Sequence, residues 1–298
     1  MSMMLLFLTL LLPAGDELSP KEMAEQILTS AAVAQRGETP VPRPASLHGI
    51  FSVTAVKQDG SGTFSVEVER FYERSPERML TRRTENLAKS DSSVGFDGDV
   101  FWMQDNRTDE VIIYSADPET FHTDLALEEE QLELTRLILD MISIDGLTEQ
   151  LIEPTYLGQE TLNVPSRRRK GDDRLVNVLT AQIPDIVFAP DANQPPPLPG
   201  EPAADDDLLA IKLFIDTESH YVHRVELFTI DRAEPQMWQM VLSRHSANAQ
   251  NLVVPGTILI LDGRGETVAT LGLIPDELGL PIFELGQPID PQIFTVPE

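Results

Sequence analysis

The stretch that decides the fold is residues 49–80, GIFSVTAVKQDGSGTFSVEVERFYERSPERML. Apolar and polar residues alternate on both sides of residues 59–62 (DGSG), which have the composition of a turn. Such alternation is typical of an antiparallel hairpin with one buried and one solvated face. We therefore predict a long hairpin whose inward-facing side chains are Phe51, Val53, Phe64, Val66, Val68 and Tyr72.

The remaining chain contains more short strands and two helical segments. A capping box at Ser19 and Glu22 predicts a helix over about residues 20–35. Apolar residues at helical spacing predict a second helix over residues 124–143, ended by Asp145-Gly146. This pattern favours an α+β fold, a strongly curved antiparallel sheet or open barrel with helices against it. Further strands are predicted near residues 78–86, 99–104, 110–115, 151–157, 174–183, 208–217, 221–231, 236–246, 256–262 and 266–274.

The chain begins with residues 1–15, MSMMLLFLTLLLPAG. Their apolar run is too short to span a membrane, which takes about 20 residues, but it suits a signal peptide with small residues at its end. The alternative is a cytosolic protein with an apolar N-terminus. We predict export to the periplasm and a single mature domain over residues 16–298. The Pro- and Asp-rich residues 190–207 are predicted to form a disordered loop within it.

Charge and cysteine content exclude several classes of protein. The 22 Lys and Arg against 49 Asp and Glu give a net charge of −27, which repels nucleic-acid phosphates. Because the chain has no cysteine, it has no disulfide, thiolate metal site, cysteine nucleophile or lipidated N-terminal cysteine. We expect no cofactor, no nucleic-acid partner and no stable membrane anchor, and we expect a monomer.

No catalytic or metal-binding motif stands out. His220 and His223 come nearest to a metal pair, but odd spacing on a strand points side chains to opposite faces, and we interpret them as ordinary surface histidines. We predict no catalytic residue and no metal site. The basic run Arg167, Arg168, Arg169 and Lys170 is either a solvated loop or a docking site for an acidic partner or anionic lipid headgroups.

The apolar faces of the strands are the main candidate for function. Such a sheet can be packed shut, or it can enclose a cavity for acyl chains or another apolar ligand. Both structures require the same inward residues. Besides the hairpin residues, we predict that Trp102, Ile211, Leu213, Trp238, Met240 and Leu242 line the interior.

Four short motifs follow one another along the chain. They are Pro76-Glu77-Arg78 at a strand end, residues 97–102 (DGDVFW), the hairpin of residues 215–225, and Phe294 to Pro297 near the C-terminus. In this order, after an export signal and a helix, they resemble the LolA-like group. This group comprises periplasmic lipoprotein carriers and related outer-membrane lipoprotein-sorting proteins.

The resemblance implies a half-open β-barrel covered by an N-terminal and an internal helix. It also implies an apolar interior that holds lipoprotein acyl chains. In the best-known carriers an arginine directly precedes the strand-ending proline. Here Ser75 stands there and Arg74 lies one residue earlier, a shift that reverses the face of a strand.

Two functions are consistent with these features. The first is an exported, non-enzymatic carrier that binds lipoprotein acyl chains or a related lipid inside the barrel. The alternative is an envelope sensor or interaction module of the same fold, which binds a protein partner through its loops. An enzyme is a third hypothesis, for which no acid–base pair at recognisable spacing is found.

Overall fold

The computed structural model describes residues 18–37, 44–56, 62–84, 91–114, 135, 138–139, 142–165, 171–184, 208–229 and 237–297. Three regions singled out in the sequence lie outside these ranges. They are the predicted signal peptide, the basic run Arg167–Lys170 and the predicted loop 190–207. Within the described ranges, no helix is both long and apolar enough to cross a bilayer.

Two α-helices and fourteen strands are described. Helix α1 is Pro20–Arg36 and helix α2 is Ile144–Gln150, and a short 3-10 helix, Pro291–Phe294, lies near the C-terminus. The strands are β1 Ser46–Val56, β2 Thr63–Arg74, β3 Glu77–Thr84, β4 Asp91–Phe96, β5 Phe101–Asp105, β6 Glu110–Tyr114, β7 Ile152–Val164, β8 Asp172–Pro184, β9 Leu208–Asp216, β10 Val222–Thr229, β11 Met237–Ala247, β12 Val253–Leu261, β13 Thr267–Leu273 and β14 Phe283–Leu285.

Helix α1 begins at the capping box read from the sequence. The Ser19 hydroxyl accepts a hydrogen bond from the Glu22 backbone N–H at 3.3 Å, and the Glu22 carboxylate accepts one from the Ser19 N–H at 2.8 Å. The backbone and hydroxyl donors of Ser19 lower the pKa of Glu22. Gly37, with a φ of 74°, ends the helix in a conformation that glycine adopts without strain.

All strands belong to one antiparallel sheet with open edges. Its order is β6-β5-β4-β3-β2-β1-β13-β12-β11-β10-β9-β8-β7, so β6 and β7 are the two edges of the described sheet. Strand β1 pairs with β2 along its whole length, and on its other side with β14 and then β13. The predicted α+β fold, an open half-barrel of antiparallel strands with covering helices, is confirmed.

The structure differs from the predicted elements at three places. Strands β4 and β14 were not predicted, since β4 (DSSVGF) is polar and contains glycine, and β14 has only three residues. Asp145-Gly146 does not end a helix but lies in the first turn of α2, which Ser143 caps by accepting a hydrogen bond from the Gly146 N–H. The described residues 135, 138–139 and 142 of the predicted internal helix are helical.

Candidate functional site

The inner face of the sheet is an apolar surface that crosses nine strands. Directly paired residues on neighbouring strands share a face, so the register identifies this surface. One row joins Val66, Val53, Leu271, Ile258 and Leu242 across β2, β1, β13, β12 and β11. A second row continues to the edge strand through Ala269, Ile260, Met240, Val225, Leu213, Leu179 and Tyr156.

Helical residues cover this face. We call α1 together with the described residues between Thr135 and Gln150 the cover. Its buried apolar side chains belong to the same core cluster as those of the sheet. The buried face of α1 consists of three alanines and one leucine, which allows close approach but leaves little apolar area in contact. The cover residues in the cluster are Ala24, Leu28, Ala31, Ala32, Ile138, Leu139, Ile142, Ile144 and Leu147.

Polar contacts at the C-terminal end of α1 hold the cover together. The Gln35 side chain accepts a hydrogen bond from the Ile144 N–H at 2.9 Å and donates to the carbonyls of Ile142 and Val253, the latter at 3.4 Å. Arg36 forms a two-pronged ion pair with Asp145, with N–O distances of 2.5 and 3.2 Å. These contacts tie α1 to α2 and, through Val253, to strand β12.

A polar patch interrupts the inner face at strands β2 and β3. Arg70 lies between Val68 and Tyr72 in the inward alternation of β2 and pairs with Thr81. Its guanidinium donates to the Thr81 hydroxyl at 3.2 Å and to the Thr135 hydroxyl of the cover at 2.7 Å. Both threonines are buried. Sequence reasoning passed over Arg70, although its position in the alternation places it on the inner face.

The structure places most of the predicted interior residues beneath the cover. Val53 is half-buried against the core cluster, and Val66 and Val68 are buried on the same face. The side chains of Phe64 and Trp238 lie outside the described part of the molecule. Six predicted residues belong to the buried core cluster, namely Phe51, Tyr72, Ile211, Leu213, Met240 and Leu242.

The prediction for Trp102 was wrong, because this side chain lies on the outer face. Trp102 pairs with Gly95, and its ring lies where a Cβ at Gly95 would be only 2.2 Å away. It belongs to a separate cluster with Phe71, Leu80 and Phe294, and its indole N–H donates to the Phe294 carbonyl at 3.3 Å. The C-terminal segment buries this outer face, so the adjacent residues Phe101 and Trp102 are both buried. The alternation of apolar and polar residues therefore does not show which of the two faces the interior.

Two histidine side chains lie in contact with each other near the C-terminal end of α1. The ring centroids of His223 and His245 are 5.2 Å apart, and Tyr221 stacks on His245 at 4.9 Å. The ring Nδ1 of His223 contacts the Leu242 carbonyl at 3.3 Å, and its Nε2 lies 3.6 Å from the Asp216 carboxylate. His223 is 8% exposed, so the interpretation of His220 and His223 as surface residues was wrong for His223.

The titration of these groups follows from burial and neighbouring charge. Burial, together with the nearby His223, lowers the pKa of His245 to about 4. Burial also lowers the pKa of His223. Burial would raise the pKa of Asp216, but hydrogen bonds from the backbone N–H groups of Ser219 and Glu218 outweigh it and lower the pKa. No group of three or more His, Asp or Glu side chains in the described chain is placed to hold a metal ion.

Buried side chains of the cover pack in one core cluster with the inner face of the described sheet. Between the cover and the sheet remains a cavity of about 20 Å³, enough for roughly one water molecule. A larger pocket of about 360 Å³ contains both acidic and basic groups, including Glu67, Glu69 and Arg82, and does not suit an acyl chain. Neither of these two pockets, both lined by described residues, has room for a long apolar ligand. The small cavity is lined by Ala31, Gln35, Ile142, Ile144, His220, Tyr221, Val222, Leu242, His245, Val253 and Pro255.

Comparison with solved structures finds matches of low sequence identity that span most of the chain. A LolA superfamily protein from Nitrosomonas europaea is 12% identical with a TM-score of 0.45, and the match covers 91% of this chain and 97% of that one. An outer-membrane lipoprotein-sorting protein domain from Vibrio parahaemolyticus is 9% identical with a TM-score of 0.45, covering 92% and 97%. A DUF1329 family protein from Desulfovibrio piger is 8% identical with a TM-score of 0.48, covering 93% and 98%.

Two of these matches carry the names of the group that the motifs of this chain resemble. No family model matches the sequence. No curated protein matches it either.

Proposed function

We propose that this protein is an exported, non-enzymatic carrier that binds the acyl chains of lipoproteins or of a related lipid on the inner face of its sheet. The observation that carries the proposal is the apolar surface across strands β2, β1, β13, β12, β11, β10, β9, β8 and β7, lying beneath a separate helical cover. Export to the periplasm rests on the signal-like residues 1–15.

The free energy of apolar burial favours replacement of helix α1 by an acyl chain. Each buried methylene group contributes roughly 0.8 kcal/mol, so a long acyl chain gains much from leaving water. Moving α1 gives up mainly the contacts of Ala24, Leu28, Ala31 and Ala32, which bury few methyl groups. The acyl chain would take the place of these side chains on the inner face. In the absence of ligand the same side chains keep the interior dry.

The net charge of −27 suits a carrier that passes between membranes, because it disfavours lasting adsorption to anionic bilayers. The lipid is released to an acceptor only if the carrier does not remain bound to the membrane. The negative charge thus limits adsorption of the carrier to the membrane, whereas the apolar inner face binds the lipid.

A crosslinking experiment tests the proposal. Because the chain has no cysteine, Gln35→Cys with Val253→Cys can be joined by a bismaleimide, which fixes α1 to β12. We expect the crosslinked protein to lose binding of a fluorescent fatty acid at least tenfold, whereas the same variant without crosslinker binds it. Crosslinked Glu69→Cys with Arg82→Cys is the control, since this ion pair on β2 and β3 does not involve the cover.

Mass spectrometry of the protein purified from its native envelope provides a second readout. Co-purified acyl lipid supports the carrier. If neither co-purified lipid nor fatty-acid binding is detected, and an envelope protein is recovered instead, the carrier proposal is wrong and the interaction module is favoured.

A further inference from the structure

Local irregularities in β10 and β11 bring His223 and His245 together under the cover. In the pairing of β10 with β9, Val222 lies opposite Ile215 and Arg224 opposite Phe214, so His223 is an extra residue in a β-bulge. In β11, Arg244 has a φ of 58°, a conformation uncommon for residues other than glycine. Bulges and strained residues redirect side chains and are enriched at functional sites.

The backbone around Arg244 leaves no room for a side chain opposite it. A Cβ on Gly256 of β12 would lie 2.9 Å from the Arg244 carbonyl oxygen. The glycine thus permits the distorted backbone that precedes His245. The regular pairing of His245 with Pro255 resumes directly afterwards.

The cavity beside His245 offers no acidic group to a protonated imidazole. Its walls include Ala31, Ile142 and Ile144 of the cover, and none of its described lining residues is Asp or Glu. The polar group that the cover contributes, the Gln35 amide, already bonds backbone groups of Ile142, Ile144 and Val253.

The charged groups around the pair come from several elements. Asp216 at the end of β9 faces His223 and favours its protonated form, while burial disfavours it. A charged His223 then opposes a second charge on His245. Arg174 of β8 adds positive potential at His223, and the turn between β9 and β10 also carries the titratable groups Glu218, His220 and Tyr221. In the cover, Arg36 and Asp145 neutralise each other.

We propose that His223 and His245 are an acid-sensitive release for the cover, in which protonation of the pair detaches the C-terminal end of α1 from the sheet. In the closed form, burial and the neighbouring cation oppose a second proton, and they outweigh the Val222 backbone and the Asp216 charge, which favour it. In the open form water solvates the His245 ring, which lines the cavity beneath the cover. The consequence, acid-promoted exchange of the bound acyl chain, rests on the proposed function, but opening of the cover does not.

The size of the effect follows from linkage. If His245 titrates near its ordinary pKa of 6.5 when the cover is open and near 4 when it is closed, the open-to-closed ratio rises about 20-fold from pH 7 to pH 5. The closed form is favoured above pH 6.5 and loses this advantage as the pH falls towards 4.

Labelling of a single cysteine measures the opening without any ligand. Ala32→Cys places a thiol on the buried face of the C-terminal half of α1 in a chain that has no other cysteine. Its reaction with dithiodipyridine is compared with that of the same variant carrying His245→Phe, at the same pH, so that the thiolate fraction cancels. We expect the rate ratio of the two proteins to rise about 20-fold between pH 7 and pH 5.

Three controls keep the test decisive. His245→Gln, which keeps a polar side chain at this position, should behave like His245→Phe. His48→Phe on the outer face should leave the pH dependence unchanged. A ratio of labelling rates that is the same at both pH values overturns the proposal. It is also overturned if a thiol in the sheet, Val176→Cys, shows an equal rise in this ratio between pH 7 and pH 5. Since no lipid is present, a failure to bind fatty acid and a failure to open with acid are separate results.

Discussion

Arg36 and Asp145 join the last turn of α1 to the first turn of α2 through two N–O contacts of 2.5 and 3.2 Å. Both side chains are largely buried, with exposures of 11% and 21%, so water screens the pair only in part. This ion pair therefore links the two helices of the cover by charge, in addition to their apolar packing.

Loss of this ion pair should loosen the cover and leave the sheet intact. Asp145→Asn keeps the shape of the side chain but removes the charge, and we expect it to destabilise the closed cover by about 1–2 kcal/mol. Hydrogen exchange of the α1 amides should quicken roughly tenfold, which corresponds to about 1.4 kcal/mol. Unchanged exchange in α1, or equally faster exchange in β8 and β9, would contradict the linkage.

Arg70 provides a second, independent attachment of the cover. Arg70→Met retains much of the aliphatic length but leaves the buried hydroxyls of Thr81 and Thr135 without this donor. A hydrogen bond to a charged group contributes about 1.5–3 kcal/mol, so without it the Thr135 segment should detach more readily. Stopped-flow association of a fluorescent fatty acid should be faster than in the wild type. Arg82→Met on the outer face is the matched control, and an equal rate increase there would refute the assignment.

The C-terminal segment should stabilise the outer face without affecting the interior. Phe294 is 0% exposed and packs against the cluster that contains Trp102. Phe294→Ala should lower the free energy of unfolding by about 3–5 kcal/mol. In a Trp238→Phe background, the emission of Trp102 should also shift to the red, while fatty-acid affinity of the folded protein stays the same. If Phe294→Ala instead greatly weakens fatty-acid binding and leaves the free energy of unfolding unchanged, the cluster that contains Trp102 lies near the ligand.

Global stability should fall with acidity because of His245. Its folded pKa of about 4 lies below its ordinary 6.5, so the unfolded chain binds more protons between these values and stability is lost as the pH falls from 6.5 to 4. Over this whole pH range the free energy of unfolding falls by about 3 kcal/mol. Urea unfolding of wild type and His245→Phe at pH 7, 6 and 5 isolates this contribution, since the carboxylates titrate in both. Parallel stability curves would show that His245 does not titrate as inferred.

The sequence predicts most of this architecture because alternation and capping are local signals. The β1–β2 hairpin, the start of α1 and the inward faces of β9 and β11 follow from patterns within a few residues. The orientation of Trp102 does not, since it depends on Phe294, which lies far away in the chain. Strand β4 forms because β3 and β5 pair with both of its sides, and Gly95 is required by the Trp102 ring.

The histidine pair is equally invisible in the sequence. His223 and His245 approach each other through a bulge in β10 and a left-handed residue in β11, and neither irregularity has a pattern that alternation reveals. Arg70, by contrast, stands in register with the inward residues of β2 and could have been found. Its guanidinium is accommodated on the inner face because Thr81 and Thr135 supply hydrogen-bond acceptors for it.

The central claim is that acyl chains occupy the inner face of the sheet, and contact quenching by a bromine-labelled fatty acid tests it most directly. Two single-tryptophan proteins are compared. Trp238→Phe retains Trp102 on the outer face, and Phe51→Trp with Trp102→Phe and Trp238→Phe has its only tryptophan on the inner face. We predict saturable quenching of the inner tryptophan and none of Trp102. Absence of quenching at position 51, or equal quenching at both positions, would contradict the account.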